Sequence, residues 1–135
     1  MRTLLTDFGG NIAMMRDKME SKSSVIYRPL EAALQPRPWR DGRIVLVGDA
    51  AHATTPHLAS GAGLAVEDAV VLTEELERFG ADVHGALDAY TERRFDRCRF
   101  VVETSLAIGR AQMEGRTAEV GELSGQALHR LAEAI

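Results

Sequence analysis

The sequence predicts an α/β fragment that is mostly helical, with one or two strands and about four helices. Residues 43–48, RIVLVG, are apolar at consecutive positions, which is typical of a strand covered on both faces. Beyond residue 63, apolar side chains recur every three or four positions, which is the helical period. A buried strand needs hydrogen-bonding neighbours, and the chain offers at most one other candidate strand. We therefore expect another chain or an N-terminal half to supply the rest of the sheet.

Composition and charge narrow the class of protein. The 135 residues suit one domain, and 16 basic against 20 acidic residues give a net charge of -4. This balance predicts no nucleic-acid partner. The apolar runs are far shorter than the roughly 20 residues that cross a bilayer, so we expect no membrane span. Cys98 is the one cysteine and no secretory pattern opens the chain, which predicts a cytoplasmic location.

The N-terminal part predicts little regular structure beyond one element. Apolar residues at helical spacing predict a helix that breaks at Gly9 and Gly10, and we expect Met14, Met15 and Met19 to pack in the core. Residues 25–30, VIYRPL, predict a short extended segment. The prolines of QPRPW then predict an extended linker, and residues 40–42, RDG, a turn into the strand.

Three helices are predicted after the strand. The first follows Gly63 and ends at Gly80, where a cap with positive φ belongs. The second begins at Asp82, a typical N-cap, and ends at Gly109. The third runs from about Thr117 to the end of the chain.

The residues between the strand and the first of these helices form the candidate site. Asp49 stands at the carboxyl end of the strand, where open α/β sheets bind their ligands, although it would also suit a turn. Pro56 then fixes a bend, and residues 59–63, ASGAG, carry little side-chain bulk. The first acid of the following helix is Glu67, so the positive helix start remains available to an anion or a partly negative ring. The pattern favours a cofactor site.

A metal site is the weaker interpretation of the same loop. Asp49, His52 and His57 follow the spacing D-x-x-H-x-x-x-x-H, which has no further carboxylate nearby and no fixed helical geometry. We therefore predict no metal and expect His52 to be a hydrogen-bonded structural residue.

The whole of residues 48–72, GDAAHATTPHLASGAGLAVEDAVVL, resembles the second flavin-binding motif of the class A FAD-dependent aromatic hydroxylases, the para-hydroxybenzoate and salicylate hydroxylase type. The shared pattern is G-D-A-A-H, a proline four residues later, a glycine run, and E-D-A before a leucine. The resemblance covers about residues 27–79. Ala59 departs from it, since many relatives have glycine there, and Ser60 replaces glutamine or alanine.

The resemblance implies the C-terminal part of a Rossmann-like FAD-binding domain. Residues 1–40 would end the substrate domain and form the linker, residues 41–80 would be the FAD-binding motif, and residues 81–135 the C-terminal helices. Asp49 would bind a hydroxyl of the ribityl chain, and the amides from Gly61 to Leu64 would face N1 and O2 of the flavin. The implied cofactor-binding residues are Gly48, Asp49, Ala50, Pro56, Gly61, Ala62, Gly63 and Leu64.

The implied function is that of an NADH- or NADPH-dependent flavoprotein monooxygenase that hydroxylates an aromatic or similar small molecule, with FAD as its cofactor. No catalytic residue is identified. The G-x-G-x-x-G turn that binds the pyrophosphate is absent from the sequence, so we expect the isolated chain to bind FAD weakly or not at all. The strand at residues 43–47 would leave exposed edges and an uncovered apolar face in a single copy, so we expect the chain to self-associate or to pair with an N-terminal half. The alternative is a truncated, catalytically inactive chain that acts only as a helical association module.

Overall fold

The computed structural model describes residues 2–19 and 28–135, and it confirms a mostly helical architecture. Residues 25–27 of the predicted extended segment lie outside these ranges. The elements in chain order are a 3₁₀ turn Arg2–Leu5, helix α1 Gly10–Lys18, strands β1 Arg40–Asp41 and β2 Ile44–Val45, helix α2 Asp49–His52, a 3₁₀ turn Pro56–Leu58, and helices α3 Gly61–Phe79, α4 Val83–Met113 and α5 Thr117–Leu131. Within the two described ranges, no helix combines the length and apolarity needed to cross a bilayer.

The first predicted helix is indeed broken. A 3₁₀ turn and α1 replace it, and Gly10 takes a positive φ of 57° at the junction. The expected core packing is wrong for Met14 and Met15, which are 57% and 67% exposed, whereas Met19 is partly buried. The reason is that α1 packs mainly on the 3₁₀ turn beside it and buries none of its residues.

The predicted strand is much shorter than expected. β1 and β2 form an antiparallel hairpin in which Arg40 pairs with Val45 and Asp41 with Ile44. The turn lies at residues 42–43, so Arg40 and Asp41 of the predicted turn are strand residues instead. Coverage on both faces is wrong for the described part of the chain, where Ile44 is 73% and Val47 43% exposed. β1 is the one strand that pairs with β2 there, and no layer covers these side chains.

The core lies between the hairpin and the three long helices, and Trp39 is at its centre. α3 and α5 both pack on α4, and Trp39 is fully buried. The Trp39 indole N–H donates to the carbonyl of Gln35 at 2.9 Å. Its ring lies 5.6 Å from the His52 ring and 5.7 Å from the Phe95 ring, centroid to centroid. The residue before the hairpin is thereby fixed against α2 and α4.

The predicted helix bounds at Gly80 and Asp82 are confirmed, but three others are wrong. α3 begins at Gly61 and not after Gly63, α5 ends at Leu131 and not at the end of the chain, and α4 does not end at Gly109. Gly80 has a φ of 56° and donates its N–H to the carbonyl of Leu76 at 3.0 Å, and the Asp82 carboxylate accepts the Gly85 N–H at 3.0 Å. α4 instead continues through Gly109 to residue 113. A Cβ atom on Gly109 would lie 2.7 Å from Cε1 of His57. This glycine therefore makes room for a ring and does not end the helix.

Ala59 adopts a left-handed conformation, with φ 51° and ψ 25°, directly after the 3₁₀ turn Pro56–Leu58. It is the one residue other than glycine with a positive φ in the described ranges. A left-handed backbone costs a residue with a Cβ atom about 1–2 kcal/mol. The resemblance had placed glycine at this position in many relatives, and the backbone explains why.

Ala59→Gly should raise the free energy of unfolding by about 0.5–1 kcal/mol, because relief of the left-handed strain exceeds the entropy that glycine adds to the unfolded chain. Ala69→Gly, in the exposed middle of α3, is the matched control and should lower it by about 1 kcal/mol. Urea unfolding of the original protein and of the two variants measures both changes in the free energy of unfolding. A loss of stability in Ala59→Gly would contradict the strain.

Candidate functional site

A cleft of about 320 Å³ opens between the start of α2 and the start of α3. It brings together four of the eight residues predicted from the sequence, namely Asp49, Pro56, Gly61 and Ala62. The full wall consists of Asp49, Thr54, Thr55, Pro56, Ala59, Ser60, Gly61 and Ala62. The strand-end acid and the glycine-containing helix start are thus two sides of one cleft.

Asp49 is the first residue of α2 and is exposed. Its neighbour Gly48 holds a φ of 56° and a ψ of -138°, a conformation that favours glycine. Asp49 itself lies on the cleft wall.

The start of α3 leaves backbone donors without acceptors. The N–H groups of Gly61, Ala62 and Gly63 have no partner within the helix, and its first turn contains no acid. The hydroxyl of Ser60, in the N-cap position, donates instead to the carbonyl of Leu58 at 2.8 Å. Leu64 differs from the expectation, because its amide already donates to the carbonyl of Ser60 at 2.9 Å and its side chain is buried. Three backbone N–H groups, those of Gly61, Ala62 and Gly63, are therefore available to a ligand at this helix start.

The other predicted residues have separate positions. Gly48 is buried, and its positive φ favours glycine. A Cβ atom there would lie 3.3 Å from the Cβ atom of Ala65, a tight contact that a small shift of Ala65 would relieve. Ala50 is exposed and lies off the cleft wall. Gly63 is also exposed, and a Cβ atom there would meet no described atom within 4 Å.

Buried hydroxyl groups anchor the loop that lines the cleft. Thr55 is 3% exposed and Ser105 on α4 fully buried, and their hydroxyl oxygens are 2.6 Å apart. Ser105 Oγ also lies 2.7 Å from the Thr55 carbonyl, to which it can donate. Nδ1 of His57 lies 2.8 Å from Thr55 Oγ1. The loop is thereby fixed to the middle of α4.

Beneath the cleft, Asp68 is the centre of a buried hydrogen-bond network. Its Oδ2 accepts the Gly48 N–H at 2.8 Å and lies 2.6 Å from Nε2 of His52. Its Oδ1 accepts from Nε of Arg94 at 2.8 Å. His52, Asp68 and Arg94 are each at most 1% exposed. The network joins α2, α3 and α4 at one carboxylate.

Charge pairing keeps these groups ionised. Burial alone would raise the pKa of Asp68, but the hydrogen bonds from His52, the Gly48 amide and Arg94 hold it below its usual value. Burial alone would likewise lower the pKa of His52, but Asp68 and the nearby Cys98 raise it to about 10. Nη1 of Arg94 lies 2.7 Å from Glu67 Oε2. Arg97 also binds Glu67, through Nε at 2.8 Å and Nη2 at 2.9 Å. Both carboxylates of the cluster are thus paired with cations, which offsets the cost of burying charge.

This network also shows where the alternative metal ligands lie. Asp49 is exposed, His52 is bonded to Asp68, and His57 packs on Gly109, so the three residues of that pattern do not converge. Donor atoms of His52, Asp68 and Cys98 do lie within 4.8 Å of one another. The Asp68 oxygens are already bonded to His52, Arg94 and an amide, which makes this cluster an internal charge network.

Sequence reasoning missed Asp68 and Arg94 as members of the site. Asp68 belongs to the E-D-A motif, but the motif alone does not say what the carboxylate binds. Arg94 carried a usable signal, because it occupies a buried stripe of α4 otherwise formed by Leu87, Thr91, Cys98 and Val101. A charged residue on such a stripe predicts a buried partner.

Comparisons with known proteins agree with this geometry. The FAD binding domain family matches residues 13–105. YetM of Bacillus subtilis is 40% identical over 85% of this chain and 31% of its own length. The 3-hydroxybenzoate 6-hydroxylase 2 of Aquipseudomonas alcaligenes is 46% identical over 53% of this chain and 22% of its own length. The crystal structure of the tetracycline destructase Tet(51) shares the fold, with a TM-score of 0.65 at 22% identity over 93% of this chain and 36% of that one.

The resemblance of residues 48–72 to the class A FAD-dependent monooxygenases is confirmed by these matches. The chain belongs to the FAD binding domain family. It spans about a third or less of the length of the two curated relatives described above.

The free energy of unfolding should fall as pH rises from about 6.5 to about 10. Folded His52, with its pKa raised to about 10, keeps its proton there, whereas an unfolded histidine loses it above about 6.5. Folding therefore takes up a proton, and the slope can reach about 1.4 kcal/mol per pH unit.

His52→Gln should flatten this dependence, and His129→Gln, an exposed histidine on α5, should not. Urea unfolding at several pH values between 6 and 10 measures the three slopes. An equally steep fall in His52→Gln would show that other groups cause it.

Proposed function

We propose that this chain forms the ribityl- and pyrimidine-binding part of the FAD site in a flavin-dependent hydroxylase. The cleft between Asp49 and the start of α3 carries the proposal. One side offers an exposed carboxylate, which suits hydroxyl donors, and the other offers backbone N–H groups at a positive helix end, which suit electron-rich ring atoms. A flavin carries both kinds of group in one molecule.

Asp49 would accept a hydrogen bond from a ribityl hydroxyl. Its carboxylate is exposed beside the cleft, and the backbone conformation at Gly48 fixes where α2 begins. The structural role that a strand-end acid often has falls instead to Asp68, which accepts the Gly48 amide. Asp49 is thus available to a ligand.

The amides of Gly61, Ala62 and Gly63 would face N1 and O2 of the flavin. The first turn of α3 contains no acid to neutralise the helix dipole, so negative charge on a reduced flavin would be stabilised there. Gly63 supports this orientation, because no described atom lies near the place of its missing Cβ atom. A glycine that packing does not require, in a helix that it weakens, is explained by the close approach of a ligand.

The rest of the proposal concerns the whole enzyme. FAD, when reduced by NADH or NADPH, would supply the oxygen-activating chemistry, and the protein would orient the cofactor and exclude water. A relative named for the hydroxylation of 3-hydroxybenzoate supports an aromatic substrate. The family match spans the flavin motif, which favours cofactor binding over a purely structural association module.

The partner of this chain would be the N-terminal part of the same fold. Apolar side chains on β2, after it, and on α3 are exposed, with Ile44 at 73%, Val47 at 43%, Val66 at 67% and Val70 at 44%. Sheet neighbours would cover this surface, as exposed strand edges and apolar patches require. Those neighbours would also bring the pyrophosphate-binding turn.

Asp49→Ala should weaken flavin binding by about ten- to a hundredfold, because it removes a charge-assisted hydrogen bond. Flavin mononucleotide is the probe, because we assign no adenosine contact to this chain. For the same reason, the chain should bind FAD with a similar, weak affinity. Chemical-shift titration of the ¹⁵N-labelled chain measures the dissociation constants. Asp41→Ala, an exposed acid on β1, is the charge-matched control. Nanomolar FAD binding, or equal loss in both variants, would contradict the assignment.

Gly63→Ala should weaken flavin binding while raising the free energy of unfolding. The new methyl group meets open space in the described structure, and alanine favours a helix over glycine by about 1 kcal/mol. It would, however, intrude on a flavin that contacts the helix start. The same titration, with urea unfolding alongside it, separates the two effects. Unchanged flavin affinity in the stabilised variant would place the ring elsewhere.

A further inference from the structure

The guanidinium of Arg94 is connected to both sides of the cleft. It is 1% exposed on α4. Its Nε donates to Asp68 Oδ1 at 2.8 Å, and Asp68 accepts the Gly48 N–H that precedes Asp49. Its Nη2 donates to the carbonyl of Leu64, in the first turn of α3, at 3.3 Å. One side chain thus contacts α3 directly and reaches α2 through one carboxylate.

This arrangement requires arginine rather than any cation. Nε and Nη2 of the guanidinium donate in two different directions, to the Asp68 carboxylate and to the Leu64 carbonyl. Nη1 lies 2.7 Å from Glu67 Oε2 as an ion pair, but it makes no hydrogen bond there. A lysine ammonium is a compact point charge without this planar fork, so it would not fix the two acceptors relative to one another.

The ion pairs of the neighbouring Arg93 do not share this geometry. Arg93 binds Glu74 at 2.9 Å and Glu75 at 2.7 Å, in the second half of α3 and away from the cleft wall. These bonds also join α3 to α4. Arg94 differs from Arg93 in that its acceptors are residues that adjoin the cleft.

We propose that Arg94 is a positioning residue for flavin binding, which sets the separation between the Asp49 carboxylate and the amides at the start of α3. It touches no flavin atom and acts through Asp68 and the Leu64 carbonyl. The inference rests on the proposed function, because it assigns that cleft to the flavin.

Arg94→Met tests it in the ¹⁵N-labelled chain, with Arg93→Met as the control. The first readout is hydrogen exchange of the Gly48 amide, and the second is the dissociation constant of flavin mononucleotide. Arg94→Met should speed Gly48 exchange and weaken flavin binding, each by about tenfold, as the loss of one charged hydrogen bond predicts. Arg93→Met should lower Tm yet leave both readouts at their original values.

Arg94→Lys is the second variant, and it applies even where Arg94→Met does not fold. It keeps the buried charge but not the planar guanidinium group. The exchange rate of the Gly48 amide and the affinity for flavin mononucleotide should therefore be intermediate between the values of the original chain and those expected for Arg94→Met. Values in Arg94→Lys equal to the original, or effects in Arg93→Met as large as in Arg94→Met, would overturn the proposal, because Arg94 would then act only on stability.

The two readouts separate this inference from the proposed function. Gly48 exchange is measured without flavin and reports on the network alone. If Asp49→Ala leaves the flavin affinity unchanged, the proposed function is wrong, whatever the exchange rate of the Gly48 amide. If Asp49→Ala weakens binding while Arg94→Met changes neither readout, the proposed function stands and the positioning role is wrong.

Discussion

The buried carboxylate of Asp68 is the interaction on which the arrangement of α2, α3 and α4 depends. A buried charge costs several kcal/mol unless partners compensate it, and here the Gly48 amide, His52 and Arg94 all do so. Gly48 and His52 belong to the two ends of α2, and Arg94 lies on α4. None can move without leaving the carboxylate poorly paired, so the helix starts around the cleft have one favourable geometry.

Two acids of the same motif differ in burial and in hydrogen bonding. Asp68 is fully buried and holds the fold together, whereas Asp49 is exposed. A single acid could not do both, because a carboxylate that satisfies backbone and cationic donors has little capacity left for a ligand. Because Asp68 accepts the hydrogen bonds of the buried donors, Asp49 is not needed for that purpose and remains exposed at the cleft.

Much of the fold could be predicted because its signals are local. Gly80 and Asp82 act through the backbone of their own helix ends, and the small residues before α3 bear directly on its first turn. Arg94 could not be assigned in this way, since its partner lies 26 residues away and the pairing depends on how two helices pack. The strand was predicted too long and too deeply buried. The apolar side chains of Ile44 and Val47 indicate that they can pack against other apolar groups, but they do not indicate whether this chain provides those groups.

The position of Trp39 gives the molecule an internal optical reporter. It is the one tryptophan in the sequence, and its ring lies 5.6 Å from the His52 ring. Protonated imidazole quenches indole emission at short range. The emission of unlabelled protein therefore follows the protonation state of His52, and a pH titration of that emission reads the buried network without any substitution.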